Sequence, residues 1–258
     1  MRALVTGAGR RLGREMALYL ARRGHDVAVH YAGSGAEAEA VATEIRAMGR
    51  HAVTLEADVL VEAQTEALIG KASAGLGGPL TVLVNNASIF EHDSFDTATR
   101  TSWDRHIESN LRAPFVLIQR FAQQAPAPVP DASGEPVAQA LVVNMVDQRV
   151  WKLTPEFSSY TIAKAGLWAL TQTAAQGLAP RVRVNAIGPG PTLQGGRQTA
   201  EAFARQRAAT VLGRGANPGD ITAALGFFLD APAVTGQMIA VDGGQHLAWQ
   251  TPDVVGVE

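Results

Sequence analysis

Short apolar runs alternate along the chain with stretches in which apolar positions recur every three or four residues. The runs predict strands at Arg2–Thr6, Asp26–His30, His51–Leu55, Thr81–Val84, Val137–Asn144, Arg181–Ala186 and Gln237–Val241, and the periodic stretches between them predict helices. Strand and helix in turn is the pattern of βαβ units, so the expected fold is α/β, a doubly wound parallel sheet of about seven strands with helices on both faces. Ala125–Pro136, punctuated by Pro126, Pro128, Pro130 and Gly134, reads as a long surface loop.

One helical stretch carries candidate chemistry. Ser158 and Ser159 can cap a helix after Pro155, and Ile162, Ala163, Leu167 and Leu170 continue it at helical spacing. Tyr160 and Lys164 then lie about 400° and roughly 6 Å apart along the helix, on one face. A free phenol titrates near ~10 and is a poor acid or base at neutral pH. A lysine cation within ~4–6 Å favours phenolate and brings it toward the working range.

Composition narrows the classes. With 258 residues, 47% hydrophobic and 18% charged, the chain can bury a large core as one α/β domain or two smaller ones, and no Pro/Gly/Ser linker divides it. The net charge is -2 with scattered basic residues, which gives no electrostatic footprint for nucleic acid and makes a nucleotide the more natural anionic partner. There is no cysteine, hence no disulfide, thiol nucleophile or thiolate metal site. His25, His30, His51, His92, His106 and His246 show no metal-ligand spacing, so no metal is expected and these histidines read as surface or structural. No charged leader precedes Ala3-Leu4-Val5 and no run approaches ~18 apolar residues, so a soluble cytoplasmic protein without a membrane partner is expected.

The first strand leads into Thr6-Gly7-Ala8-Gly9-Arg10-Arg11-Leu12-Gly13 before a helix. Glycines there let backbone amides approach a pyrophosphate, which the helix N-terminus attracts. The second strand ends His30-Tyr31-Ala32-Gly33-Ser34, with no carboxylate for a ribose 2′-hydroxyl. A 2′-phosphate would find Arg10 and Ser34 instead, which favours NADP(H) over NAD(H).

These motifs, with Asn85-Asn86-Ala87-Ser88 after the fourth strand, Asp147 after the fifth and Tyr160-x-x-x-Lys164, resemble the short-chain dehydrogenase/reductase family in order and spacing. Arg11 stands where the family's turn has its middle glycine, and this Thr-Gly-x-x-x-Arg-Leu-Gly form resembles the pteridine reductase branch. The resemblance implies one Rossmann-type domain over 1–247, with a substrate lid at about 193–212 and a C-terminal tail at 248–258, and a homotetramer. It implies a cofactor site from Gly7, Arg10, Arg11, Leu12, Gly13, His30, Tyr31, Ser34, Asp58, Val59, Asn86, Ala87, Ser88, Tyr160, Lys164, Pro189, Gly190 and Thr192. Asp58 can alternatively cap the next helix. It further implies that Asn110 distorts its helix and holds a water linked to Lys164, and that Phe90 stacks on a flat heterocycle. Val241-Asp242-Gly243-Gly244 matches the family's last-strand signature.

Where most of the family has a serine, thirteen residues before the tyrosine, this chain has Asp147. A carboxylate beside a phenol raises the phenol's pKa, and the strain is relieved if one proton is shared across the pair. Such a pair suits protonation of a ring nitrogen whose neighbouring carbon takes hydride, or a grip on a substrate amino group. It is less natural for a ketone oxygen. Arg11, Phe90, Asp147 and Tyr160 are the expected substrate contacts, and Asp147, Tyr160, Lys164 and Asn110 the expected catalytic set. The expected reaction is NADPH-dependent reduction of a pterin or folate C=N bond. Alternatives are reduction of a carbonyl or another imine, or a nucleotide-binding protein without turnover.

Overall fold

The structure, a computed structural model, describes residues 1–251 and 253–255. The expected tail at 248–258 lies partly outside them, at Pro252, Gly256, Val257 and Glu258. Seven strands form one sheet: β1 (Arg2–Val5), β2 (Asp26–Tyr31), β3 (Ala52–Glu56), β4 (Val82–Asn85), β5 (Ala140–Met145), β6 (Val182–Pro189) and β7 (Met238–Val241). Their order is β3-β2-β1-β4-β5-β6-β7, every pairing parallel.

The strands read as continuous apolar runs because both faces are covered. Side chains alternate between two cores. Ala3, Val5, Val27, Val29, Val82, Val84, Leu141 and Val143 face α1 (Arg11–Arg22), α2 (Gly35–Ala47) and α8 (Pro218–Asp230), where Met16, Ile45 and Phe228 complete the layer. Leu4, Ala28, Leu83 and Val142 face the other way, onto Leu68 of α3 (Glu62–Gly75) and Leu117 and Phe121 of α5 (Ala113–Gln124).

The chain runs outward from β1 to β3, then crosses back to β4 on the other side of β1. That reversal leaves a crevice at the carboxyl ends of β1 and β4, the usual place for a ligand in an open parallel sheet. The turn after β1 and Asn85–Ser88 both open into it.

The strand expectations hold within a few residues except at the fifth, predicted as Val137–Asn144. Val137 instead pairs in a two-stranded antiparallel ribbon, Val129–Pro130 with Pro136–Val137, inside the expected loop. Asp131 closes its turn by accepting from the backbone of Ser133 and Glu135 at 2.8 and 2.9 Å. Prolines cannot donate to a ladder and keep such a segment at an edge, so the buried strand begins only at Ala140. The expected helix distortion is present: α4 (Arg100–Ile107) passes through a π-turn at Glu108–Arg112, with Asn110 inside it, before α5.

Candidate active site

The glycine-rich turn is built by close backbone approach. A Cβ on Gly13 would stand 2.2 Å from the Gly7 carbonyl oxygen, and one on Gly9 2.8 Å from Ser34 Oγ. Gly7 itself has φ +62°. Thr6 Oγ1 accepts from the N–H groups of Asn86 and Ala87, both at 2.9 Å, and Asn86 Nδ2 returns a bond of 2.8 Å to the Thr6 carbonyl. Asn86 therefore staples the ends of β1 and β4 together. His30 is a correction to its expected place among cofactor contacts. It is buried behind the turn, where Nδ1 accepts from Gly7 N–H at 3.0 Å and Nε2–H donates to the Ala57 carbonyl at 3.0 Å. Burial lowers its pKa to about 4, so it stays a neutral prop for the turn.

Arg11 has φ 53°, the left-handed conformation that accounts for glycine at this position in the family's pattern. Its guanidinium donates to the carbonyls of Leu193 and Gln194 at 3.0 and 2.8 Å, tying the first turn to the start of the expected lid. Leu12 packs against the first core. On the crevice's outer side Arg10 is ion-paired with Glu37, both side chains exposed, while the Tyr31 ring lies under Gly35 at the start of α2. Asp58 does not cap α3, whose N-cap is Val61. Its carboxylate accepts from Leu60 N–H at 2.9 Å in a local turn, beside Val59.

On the far side, β6 ends at Pro189. A Cβ on Gly190 would meet Asp242 at 2.5 Å, so only glycine lets this segment pass the end of β7. Thr192 is buried and donates to the Gly190 carbonyl at 3.1 Å. Asp242 is a structural carboxylate, accepting from Gly244 N–H and His246 N–H at 2.8 Å and from His246 Nδ1 at 2.7 Å. The expected lid contains a helix, α7 (Ala200–Ala208), whose Arg207 clasps the carbonyls of Pro191, Ala216 and Gly215.

Between these walls Tyr160 Oη donates to Asp147 Oδ2 at 3.0 Å. Both follow elements that end in the crevice: Asp147 comes two residues after β5, and Tyr160 lies in the first turn of α6 (Ser158–Leu178). Lys164, on the same face, donates to the Met145 carbonyl at 2.7 Å with its Nζ 5.7 Å from the Tyr160 ring centre. Burial and the neighbouring Asp147 charge push the Tyr160 pKa well above the ordinary phenol value, and burial also raises Asp147. The pair therefore holds one shared proton tightly. Lys164 was expected to depress Tyr160. Instead, burial brings its own pKa down to about 8, and the cation that offsets the Asp147–Tyr160 pair most is Arg149, whose N–H donates to Asp147 Oδ1 at 2.9 Å. Ser88 stands beside the phenol oxygen.

The expected serine cap of α6 is absent. The helix is entered through Phe157 at φ 59°, ψ 49°, and Asp93, far earlier in the chain, takes over the capping. The Asp93 carbonyl accepts from Phe157 N–H at 2.7 Å and its carboxylate from Ser159 N–H at 3.2 Å and Ser159 Oγ. His106 Nε2 accepts from Glu91 N–H at 3.1 Å, so Nδ1 carries the proton donated to Ser159 Oγ at 2.6 Å. Burial opposes ionisation of Asp93, but the bonds from Ser159 and Ser102 outweigh it and hold the carboxyl below its ordinary pKa. Asn110 spends its side chain on Ile89, accepting from its N–H at 3.2 Å and donating to its carbonyl at 2.9 Å. Those bonds brace the segment before Phe90.

Phe90 is 44% exposed at the mouth. It stacks on Phe157 with ring centres 4.4 Å apart and meets Tyr160 edge-on at 4.7 Å. Phe157, Arg197 and Asp93 were not singled out from the sequence. The only available signal was the nearness of Phe157 to Tyr160 in the chain. Among the described residues no acid, histidine and cysteine grouping could hold a metal, and no helix is long and apolar enough to cross a membrane.

Residues 7–246 match the family model described as Enoyl-(Acyl carrier protein) reductase. The chain is 35% identical over 250 residues to the 3-oxoacyl-[acyl-carrier-protein] reductase FabG of Staphylococcus aureus, covering 95% of this chain and 98% of that one. It superimposes on FolM Alternative dihydrofolate reductase 1 from Brucella canis, complexed with NADP, with a TM-score of 0.89 at 43% identity, covering 98% and 96% of the two chains. It also superimposes on the landomycin C-6 ketoreductase LanV with bound NADP and rabelomycin, with a TM-score of 0.82 at 29% identity and 96% coverage of each. The seven-stranded fold agrees with these matches, and the chain belongs to the short-chain dehydrogenase/reductase family of oxidoreductases.

Proposed function

We propose that the protein reduces a C=N bond of a pterin or folate-like substrate with NADPH. The observation that carries this reading is the hydrogen bond between Tyr160 and Asp147, the residue that replaces the family's serine. The crevice suits the cofactor. Gly7, Gly9 and Gly13 leave no room for side chains along its floor, the N-terminus of α1 faces it, and no carboxylate follows β2 before Glu37. Arg10, released from its exposed pair with Glu37, and Ser34 receive the 2′-phosphate. Asp58, Val59, Ala87, Pro189, Gly190 and Thr192 line the remainder, and residues 193–212 close over the substrate.

When bound, NADPH supplies the hydride. Phe90 holds the flat ring, Tyr160 passes the proton it shares with Asp147 to the ring nitrogen as the neighbouring carbon becomes C–H, and the emptied pair takes up a proton from solvent before the next turnover. Lys164 holds the nicotinamide ribose. The FolM likeness supports this substrate class. A second reading, reduction of a carbonyl at the same pair, is favoured by the likeness to FabG and LanV and opposed by Asp147. Exposed Trp151, Leu153, Leu247 and Trp249 give the surface an apolar character consistent with a homotetramer, working in the cytoplasm.

Following NADPH oxidation with dihydrobiopterin and dihydrofolate beside a panel of ketones tests the reading. Turnover of the first two alone is expected, with a KM for NADPH about tenfold or more below that for NADH. Turnover of ketones alone would transfer the site to the second reading, and equal KM values would remove the role of Arg10 and Ser34. The acid–base groups also set a pH profile. Lys164 loses its charge in the free protein as pH rises through about 8, while the Asp147–Tyr160 proton persists to higher pH. kcat/KM should therefore be full below that pH and fall above it, an alkaline limb that a pH–rate titration would locate.

A further inference from the structure

The Phe90–Phe157 stack is flanked by two guanidiniums. Arg197, on the expected lid, lies 5.4 and 5.6 Å from the two ring centres, and Arg149, beside Asp147, lies 6.0 and 5.0 Å from them. Cations often merely stack on aromatic rings. Of the other ring-stacking arginines, Arg23 and Arg112 are each paired with a carboxylate and Arg207 is spent on three backbone carbonyls, whereas Arg149 and Arg197 form no carboxylate ion pair among the described residues and share one aromatic stack.

The nearby acids are engaged elsewhere: Glu91 is held by Arg105 at 2.8 Å and Glu156 by His92 at 2.5 Å. Among the described residues Arg197 spends one bond, of 2.7 Å, on the Phe90 carbonyl, and Arg149 bonds only Thr154 Oγ1 and the Glu156 carbonyl through its guanidinium, with its Nε buried and unpartnered. A guanidinium has five N–H donors, so both retain capacity for an anion. Aromatic surface and guanidiniums without a carboxylate ion pair thus meet at the mouth, the charge of Arg149 partly offset by Asp147 and that of Arg197 facing the already paired Glu91, in a chain whose net charge is -2.

We infer that Arg197, assisted by Arg149, makes the site selective for a planar heteroaromatic substrate carrying an anionic arm, as dihydrofolate does with its glutamate carboxylates, over a neutral dihydropterin. This rests on the pterin or folate reading above. The ring seats against Phe90, and the arm leaves the mouth past the two guanidiniums.

The test is the ratio of kcat/KM for dihydrofolate to that for dihydrobiopterin. Arg197→Gln should lower the ratio about fivefold, the scale of an exposed ion pair, and Arg197→Lys should restore most of it. In the unaltered protein, raising ionic strength from low salt to about 0.5 M should lower the ratio as well, because screening shortens the reach of exposed charges. A ratio indifferent both to salt and to Arg197→Gln, with both substrates still reduced, would overturn the inference and leave the reaction intact. Reduction of neither substrate would overturn the reaction, and the inference with it.

Discussion

Tyr160→Phe is expected to lower kcat with dihydrofolate by about 10²–10⁴-fold, the usual worth of a positioned general acid. Only the hydroxyl is lost. The ring keeps its edge contact with Phe90, and Lys164 keeps its bond to the Met145 carbonyl. NADPH affinity, measured by fluorescence titration, should therefore change little while the steady-state rate collapses. A variant retaining more than about a tenth of kcat would mean that the proton reaches the substrate by another route.

Asp147→Ala should cost about 10²-fold or more in kcat for the same substrate, because the phenol loses its proton partner. It should also shift the pH profile. Asp147 is one of the two main causes that hold the Tyr160 proton tightly, so its removal lowers the phenol pKa toward the ordinary value and brings an alkaline loss of kcat to lower pH. Asp147→Ser separates chemistry from folding. It supplies the hydroxyl used by most of the family, so turnover of a ketone should rise as C=N reduction falls. Dihydrofolate turnover unchanged in both variants, measured across the pH range, would remove the carboxylate from the mechanism.

Much of this was legible in the sequence, for physical reasons. Period-two burial against two helical layers gave the seven strands their apolar runs, and only Val137 misled, since prolines on one side of it cannot join a central ladder. The π-turn was foreshadowed by Asn110 and Pro114. The start of α6 was not. Local pattern pointed to Ser158 and Ser159, but Asp93 supplies the bonds from a distant loop, and Phe157 is held left-handed by that tertiary contact. The sign of the Tyr160 shift was also out of reach. Helical spacing placed Lys164 near the phenol, yet the depth of burial, which the spacing does not encode, outweighs the lysine and leaves Arg149 as the balancing cation. His30 was misread for the same reason: a residue at the end of a strand beside a cofactor turn can point into the crevice or behind it, and here it points behind.

The most direct measurement follows the hydride itself. NADPH carrying deuterium at both positions of nicotinamide C4 is incubated with the protein and dihydrofolate, and the reduced product is examined by mass spectrometry. The proposed reaction predicts tetrahydrofolate with one deuterium fixed on carbon and none retained on nitrogen after exchange into ordinary water. Reduced product without label, or no reduced product while a ketone is turned over, would contradict it.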